Sequence, residues 1–365
     1  MVKTNLKALS KEELESFIHE SGLPSYRARQ IIHWIYGKYA SSIDEITEFS
    51  SALRKKISEK AYISNLKLLK RLSSKDGTEK FLFELEDGET IESVLIPEAG
   101  RLTLCISSQV GCAMGCKFCL TGKIGLRRNL KAFEIIDQII SVSRNLIPPH
   151  PPLVKGGQRE LSLVKSGRGD FSLLKITNIV LMGMGEPLAN FDEVVEALWR
   201  MTEFMGISKR RITLSTAGVV PKILKLSDKA PHVNLAISLN ATTDEVRNRL
   251  MPLNKKYPIK NLLDACKRFP LEPRRKITFE YVMFDGVNDT MDDARRLVKL
   301  LKGIRCKVNL IPFNPYEGSE FSRPSDEKVL RFQKVLVNGG LTALIRKSKG
   351  QDILAACGQL KAGYV

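Results

Sequence analysis

Histidine is scarce in this chain. The four residues are His19, His33, His150 and His232, and none lies beside the one dense group of cysteines. Long apolar runs are missing too. Charges interrupt every hydrophobic stretch, so no membrane-spanning segment is expected. The opening residues, Met1-Val2-Lys3-Thr4-Asn5-Leu6-Lys7, lack the apolar core of a secretory signal, and a cytoplasmic protein is expected. The seven cysteines accompany no export signal, so they point to chemistry in a reducing compartment rather than a disulfide framework. Negative charge is the last deficit: 40 Asp and Glu stand against 58 Lys and Arg, a net charge of +18. Basic runs recur at 67–71, Arg127-Arg128, Lys209-Arg210-Arg211, Lys255-Lys256, Arg274-Arg275-Lys276 and 346–349. Clusters dispersed in this way make a broad charged face, for which nucleic acid is the first polyanion to consider. A solvated, lysine-rich surface is the plainer alternative.

What the chain does have is Gly111-Cys112-Ala113-Met114-Gly115-Cys116-Lys117-Phe118-Cys119. The three thiols are spaced by three residues and then two, which suits one compact loop whose sulfurs converge on a single cluster. Four cysteines complete an iron–sulfur cubane. Three leave one iron without a protein ligand, the open position that catalytic metal sites keep for substrate. Structural zinc is the competing reading, and it needs four Cys or His ligands. The other cysteines, Cys105, Cys266, Cys306 and Cys357, include no second Cys-x-x-Cys pair.

The patterning divides the chain into four parts. Residues 1–65 read as a small helical domain that is expected to touch RNA. In it Ser10 and Glu13 form a capping box, and a second helix runs from Ser25 to Gly37 through Ile31, Ile32, Trp34, Ile35 and Tyr36. Residues 66–97 read as a β-hairpin linker turning at Asp87-Gly88. From 98 to 350, apolar β-rich runs at 102–107, 176–182, 211–215, 233–239, 277–283 and 307–311 alternate with helical segments. Such alternation implies parallel βαβ units, hence an α/β fold with a partial (βα)6 TIM-type barrel and active groups at the C-terminal ends of its strands. The cysteine loop directly follows the first of these strands. Residues 147–175, rich in Gly, Pro and Lys, stand outside the pattern and are expected to be a flexible insertion. Within them Leu161-Ser162-Leu163-Val164-Lys165 is echoed by Phe171-Ser172-Leu173-Leu174-Lys175. A tail follows at 351–365.

The Cys-x-x-x-Cys-x-Phe-Cys spacing resembles the radical S-adenosylmethionine (SAM) superfamily. Further stretches narrow the resemblance: Gly183-Met184-Gly185-Glu186-Pro187, 208–218, Ser238-Leu239-Asn240, Ile311-Pro312-Phe313-Asn314-Pro315 and 352–360. In this order, with the cysteine loop, they resemble the bacterial RlmN family of dual-specificity RNA methyltransferases. The likeness covers almost the whole chain except 147–175. It implies methylation of carbon 2 of an adenine in large-subunit ribosomal RNA and of an adenine beside the anticodon of tRNAs. It also implies a [4Fe-4S] cluster on Cys112, Cys116 and Cys119, and SAM held by Gly185, Glu186, Ser215, Ser238, Leu239, Asn240 and Asn314. By the same resemblance Cys357 carries the methyl group and Glu92 takes the carbon-2 proton. Cys105 attacks the Cys357 sulfur to release the product, leaving a disulfide. An electron donor such as flavodoxin or ferredoxin, and a monomeric state, are expected.

From the residues alone, Cys105 in a strand and Cys357 after two alanines read as small buried residues, and Glu92 as a solvated carboxylate. Ser238-Leu239-Asn240 has Asn where some relatives have His. Two other functions stay open: the related antibiotic-resistance enzyme that methylates carbon 8 of the same adenine, and a zinc-bearing RNA-binding module without catalysis. Pro187 favours the carbon-2 enzyme over the first.

Overall fold

The computed structural model describes residues 3–146, 163–165, 171–173 and 175–361. Its first helix, Lys11–Glu20, begins at the capping box read from the sequence: the Ser10 hydroxyl accepts the Glu13 amide and Glu13 returns a bond to the Ser10 amide. The second, Tyr26–Ile32, runs on as a π-turn over His33–Gly37 and buries Ile31, Ile35 and Tyr36. The third spans Ser51–Lys60. This helical unit is bolted to the core by buried polar contacts. Lys7 Nζ lies 2.5 Å from Asp137 Oδ1, and the Arg200 guanidinium donates to the Lys7 and Leu9 carbonyls and to the Tyr36 hydroxyl. Burial pushes Asp137 up to about 6 even beside Lys7. Such pairs contribute little net stability, but their geometry fixes one docking orientation.

Among the described residues the main sheet has ten strands, and each pairs with the next of these in sequence. They are β1 (Lys67–Ser73), β2 (Glu79–Glu84), β3 (Thr90–Glu98), β4 (Arg101–Cys105), β5 (Asn178–Leu181), β6 (Ile212–Thr216), β7 (Asn234–Ser238), β8 (Ile277–Met283), β9 (Cys306–Pro312) and β10 (Ala343–Ile345). From β4 to β10 all are parallel, while β1 to β4 are antiparallel. The expected hairpin is therefore no linker: it has a third strand and continues the barrel sheet. The sequence hid β1 because an edge strand with a bulge between Leu68 and Lys70 keeps little apolar alternation. Its Lys67 and Arg71, read above as part of a basic face, pair across strands with Glu84 and Glu79.

Side chains alternate along the parallel strands as the pleat requires. Ile212 and Leu214, Leu235 and Ile237, Phe279 and Tyr281, and Val308 and Leu310 are buried at 2% exposure or less. They pack in one core with Ile139, Leu198, Leu262, Leu297 and Phe332 of the flanking helices. Each such side chain contributes roughly 1.5–3 kcal/mol by leaving water. The intervening positions, among them Ser215, Ser238 and Glu280, face the inside. Most of 147–175 lies outside the described residues. Within it the two echoing segments pair antiparallel, Leu163–Lys165 with Phe171–Leu173. No helix among the described residues is long and apolar enough to cross a membrane.

Candidate active site

The chain leaves β4 through 106–108 and turns at Gly111, where φ is +75° and a Cβ would lie 1.8 Å from the Gly125 carbonyl. Only glycine fits there. The Cys112 amide then bonds that same carbonyl, Lys117 N bonds the Leu250 carbonyl, and Cys119 N bonds the Cys116 carbonyl. These bonds aim Cys112, Cys116 and Cys119 into one cavity at the strand ends, with about 960 Å³ of space including its open mouth. Burial pushes the Cys112 thiol up to about 12 and raises Cys116 and Cys119, and each of the three is raised further by a neighbouring sulfur. Bound iron reverses that logic, because a coordinated thiol is deprotonated. No three His, Cys, Asp or Glu side chains among the described residues converge on a single-ion site. In a cubane each thiolate binds a different iron, so the sulfurs need not meet at a point. The donor set fits a [4Fe-4S] cluster with one open iron.

The same cavity is walled by Gly185, Glu186, Ser215, Ser238, Asn240 and Asn314, bringing together all but one of the expected SAM contacts. Their states differ from expectation. Cβ atoms on Gly183 and Gly185 would lie 2.7 Å from the Ile106 carbonyl carbon and 2.6 Å from Gln109 Cβ, so these glycines let the loop close against the β4 exit. Glu186 is 3% exposed and both oxygens are engaged, Oε1 by the Leu188 amide and Oε2 by the Ala217 amide at 2.6 Å. Burial raises its pKa against those bonds. Asn240, held at φ +58°, accepts the Val282 amide and directs its Nδ2 at Met251 Sδ. Leu239 is absent from the cavity wall: its side chain is fully buried in the core, its amide donates to the Glu280 carbonyl, and its carbonyl accepts from the Arg247 guanidinium. Arg247 was not singled out in the sequence. It is fully buried and ties the Ala217, Ser238 and Leu239 carbonyls of adjacent strand ends. Its signal was faint, one Arg in a short charged helix.

A second cavity adjoins the first and contains Cys105, Cys357, Arg346 and Lys349. It brings together two thiols 252 positions apart in sequence, from β4 and from the tail (357 − 105). Cys105 is 7% exposed, while Cys357 is exposed, and neither is in a disulfide. Burial first, and the nearby Cys357 sulfur second, push the Cys105 thiol up to about 12. The strongest influence on Arg346 is the Cys357 sulfur, which favours its charged form.

The tail is fastened along its length. Gly350 N bonds Asp76, Asp352 accepts from Ser74 and Lys75, the Leu354 carbonyl accepts from Lys80, and Gln359 donates to the Pro315 carbonyl. The Gly358 and Leu360 carbonyls accept from Leu120 N and the Thr121 hydroxyl, just past the cysteine loop. Glu92 is neither solvated nor in the wall of either cavity. It is 4% exposed, 3.0 Å from Lys80 Nζ, and accepts the Lys361 amide at 2.9 Å. Sequence could not show this, because its partners lie 12 and 269 positions away.

A strand-end cavity lined by the three loop thiols in a parallel α/β sheet defines a class, and residues 106–301 match the model of the Radical SAM superfamily. This is a radical SAM enzyme. Residues 4–63 match the model described as the ribosomal RNA large subunit methyltransferase N-terminal domain. A dual-specificity RNA methyltransferase RlmN of Pelobacter propionicus is 49% identical over 98% of this chain and 96% of its own length. The RlmN of Geobacter sulfurreducens is 50% identical over 98% of this chain and 92% of its own. The crystal structure of a radical SAM methyltransferase from Sphaerobacter thermophilus superposes with a TM-score of 0.87 at 41% identity, covering 98% of this chain and 99% of that one. The chain belongs to the RlmN family of dual-specificity RNA methyltransferases.

Proposed function

We propose that this enzyme methylates carbon 2 of adenine in large-subunit ribosomal RNA and in tRNA through a methyl group held on Cys357. The observation that carries this reading is the shared cavity of Cys105 and Cys357, opening into the cavity of the three cluster thiols. Carbon 2 has no lone pair with which to attack a sulfonium methyl, so the methyl must first be held on a better nucleophile, and a thiolate is one. When bound at Cys112, Cys116 and Cys119, the cluster with SAM supplies the methyl group and a deoxyadenosyl radical. Cys357 takes the methyl as a thioether; one hydrogen atom then passes from that methyl to the deoxyadenosyl radical, and the resulting carbon radical bonds carbon 2, joining protein to RNA. Arg346 lines the same cavity, and its charge opposes the burial that raises the Cys105 thiol. Glu92 lies beneath the tail, bound four residues beyond Cys357, and takes the carbon-2 proton once the Lys361 amide lets go. Cys105 then attacks the Cys357 sulfur. The sulfur–carbon bond breaks, the released carbon takes the thiol proton to complete the methyl group, one electron returns to the carrier, and a disulfide remains as the methylated RNA departs. A small one-electron carrier such as flavodoxin or ferredoxin is the electron source, and the enzyme works as a cytoplasmic monomer.

The two thiols separate cleanly by mutation. A Cys105→Ala enzyme is expected to accumulate a protein–RNA conjugate through Cys357, because bulk thiols compete poorly with a held group whose effective molarity reaches about 10⁵ M. Cys357→Ala forms none. Denaturing gels and peptide–nucleotide mass spectrometry read both. Free methylated RNA at the normal rate from Cys105→Ala refutes the assignment, and methylation at carbon 8 refutes the regiochemistry.

A further inference from the structure

Two acids stand in the wall of the cluster cavity, Glu186 and Glu280. Both oxygens of Glu186 are occupied by backbone amides. Glu280 differs. It sits mid-strand on β8 at 5% exposure, its Oε1 accepts from Asn309 Nδ2 at 3.0 Å, and its Oε2 is buried with no hydrogen-bond partner. An unmet buried carboxylate oxygen is costly, and a native site that keeps one calls for a partner not yet counted. The strand register places Ser238, Glu280 and Asn309 side by side in one row across β7, β8 and β9. Glu280 thus faces the cavity next to Ser238. The cysteine loop issues from β4, four strands away across the sheet. Burial raises the Glu280 pKa, and Arg346 and Asn309 oppose it in favour of the ionised form.

We propose that Glu280 is a SAM-binding residue whose free Oε2 accepts a hydrogen bond from a ribose hydroxyl. This rests on the radical SAM reading of the cavity. SAM held beside the cysteine loop would extend across the cavity toward β7 and β8, where Ser238 and Glu280 stand in the wall. An ionised carboxylate is acceptor-only, and an acid taking a ribose hydroxyl is the arrangement dinucleotide sites use. The spare oxygen of Glu280 suits that task better than Glu186, whose oxygens already hold two backbone turns.

The test is binding, not turnover. Anaerobically reconstituted holoenzyme is titrated calorimetrically with S-adenosylhomocysteine, which cannot be cleaved to a radical. Glu280→Ala is expected to weaken binding roughly 10- to 100-fold, the loss of a charge-assisted hydrogen bond, and Glu280→Gln by less. The 2′,3′-dideoxy analogue is expected to bind wild type and Glu280→Ala alike. Unchanged affinity for S-adenosylhomocysteine in Glu280→Ala overturns the proposal. So does an equal deficit with the dideoxy analogue, which assigns Glu280 a structural role. If Glu280→Ala does not fold, Glu280→Gln with the two ligands decides by the same comparison. Failure of the wild-type holoenzyme to bind, with no change in the reduced cluster's EPR spectrum on adding SAM, overturns the radical SAM reading and this inference together.

Discussion

Lys80→Met is the sharpest perturbation available to the tail. Lys80 Nζ lies 3.0 Å from Glu92 Oε1 and 3.1 Å from the Leu354 carbonyl, with the two side chains of the pair 9% and 5% exposed. One ammonium therefore joins β2, β3 and the segment leading to Cys357. Methionine keeps much of the volume but removes the charge and both bonds. A charge-assisted bond contributes about 1.5–3 kcal/mol, and a carboxylate left unpaired in a buried site costs about 3–5 kcal/mol. The costs overlap, and the tail has other fastenings, so a net loss of about 3 kcal/mol from the docked state is the working figure. Opening the tail lets water reach Glu92, so the penalty falls on docking rather than on the whole fold. The tail-open population then rises about 100-fold, each 1.4 kcal/mol being tenfold. Amide hydrogen exchange measures it. Ala355 and Lys361, whose amides bond the Gly350 carbonyl and Glu92, exchange about 100-fold faster, while β6 to β8 keep their protection. Adding Glu92→Gln to Lys80→Met recovers most of the loss. Unchanged exchange in the tail, or uniform acceleration throughout the sheet, refutes the reasoning.

Gly185→Ala places a Cβ 2.6 Å from Gln109 Cβ at φ +98°, and overpacking there is expected to destabilise the protein by about 1–3 kcal/mol, read from the urea midpoint. Asp76 titrates at about 2: burial raises its pKa, but Thr78 and the Gly350 amide outweigh burial. Its hold on the tail is therefore full above about pH 4 and lost as pH falls toward 2, and tail exchange against pH follows that window. Cys116→Ala is expected to lose the brown cluster chromophore and reductive SAM cleavage after reconstitution, and full methylation by that variant refutes the ligand set.

The sequence by itself determined the chemistry of the cluster and the class of fold. Both are written locally: three thiols within eight residues, and periods that switch between strand and helix. The helices at Ala132–Leu146 and Phe191–Glu203 fill the gaps between successive β-rich runs, and Asp326–Asn338 follows the last of them. Tertiary structure alone decided what each polar residue has left to give. Glu186, Asn240 and Glu280 are equally polar in the sequence. The first two have their hydrogen-bonding atoms engaged within the protein, while Glu280 keeps an oxygen free, since only folded neighbours decide which atoms are satisfied. Likewise Cys105 and Cys357 were two unremarkable cysteines until a tail held by Ser74, Asp76, Lys80 and Glu92 carried one to the other. A strand period cannot encode such contacts, because the partners lie hundreds of residues apart and meet only when the sheet has formed.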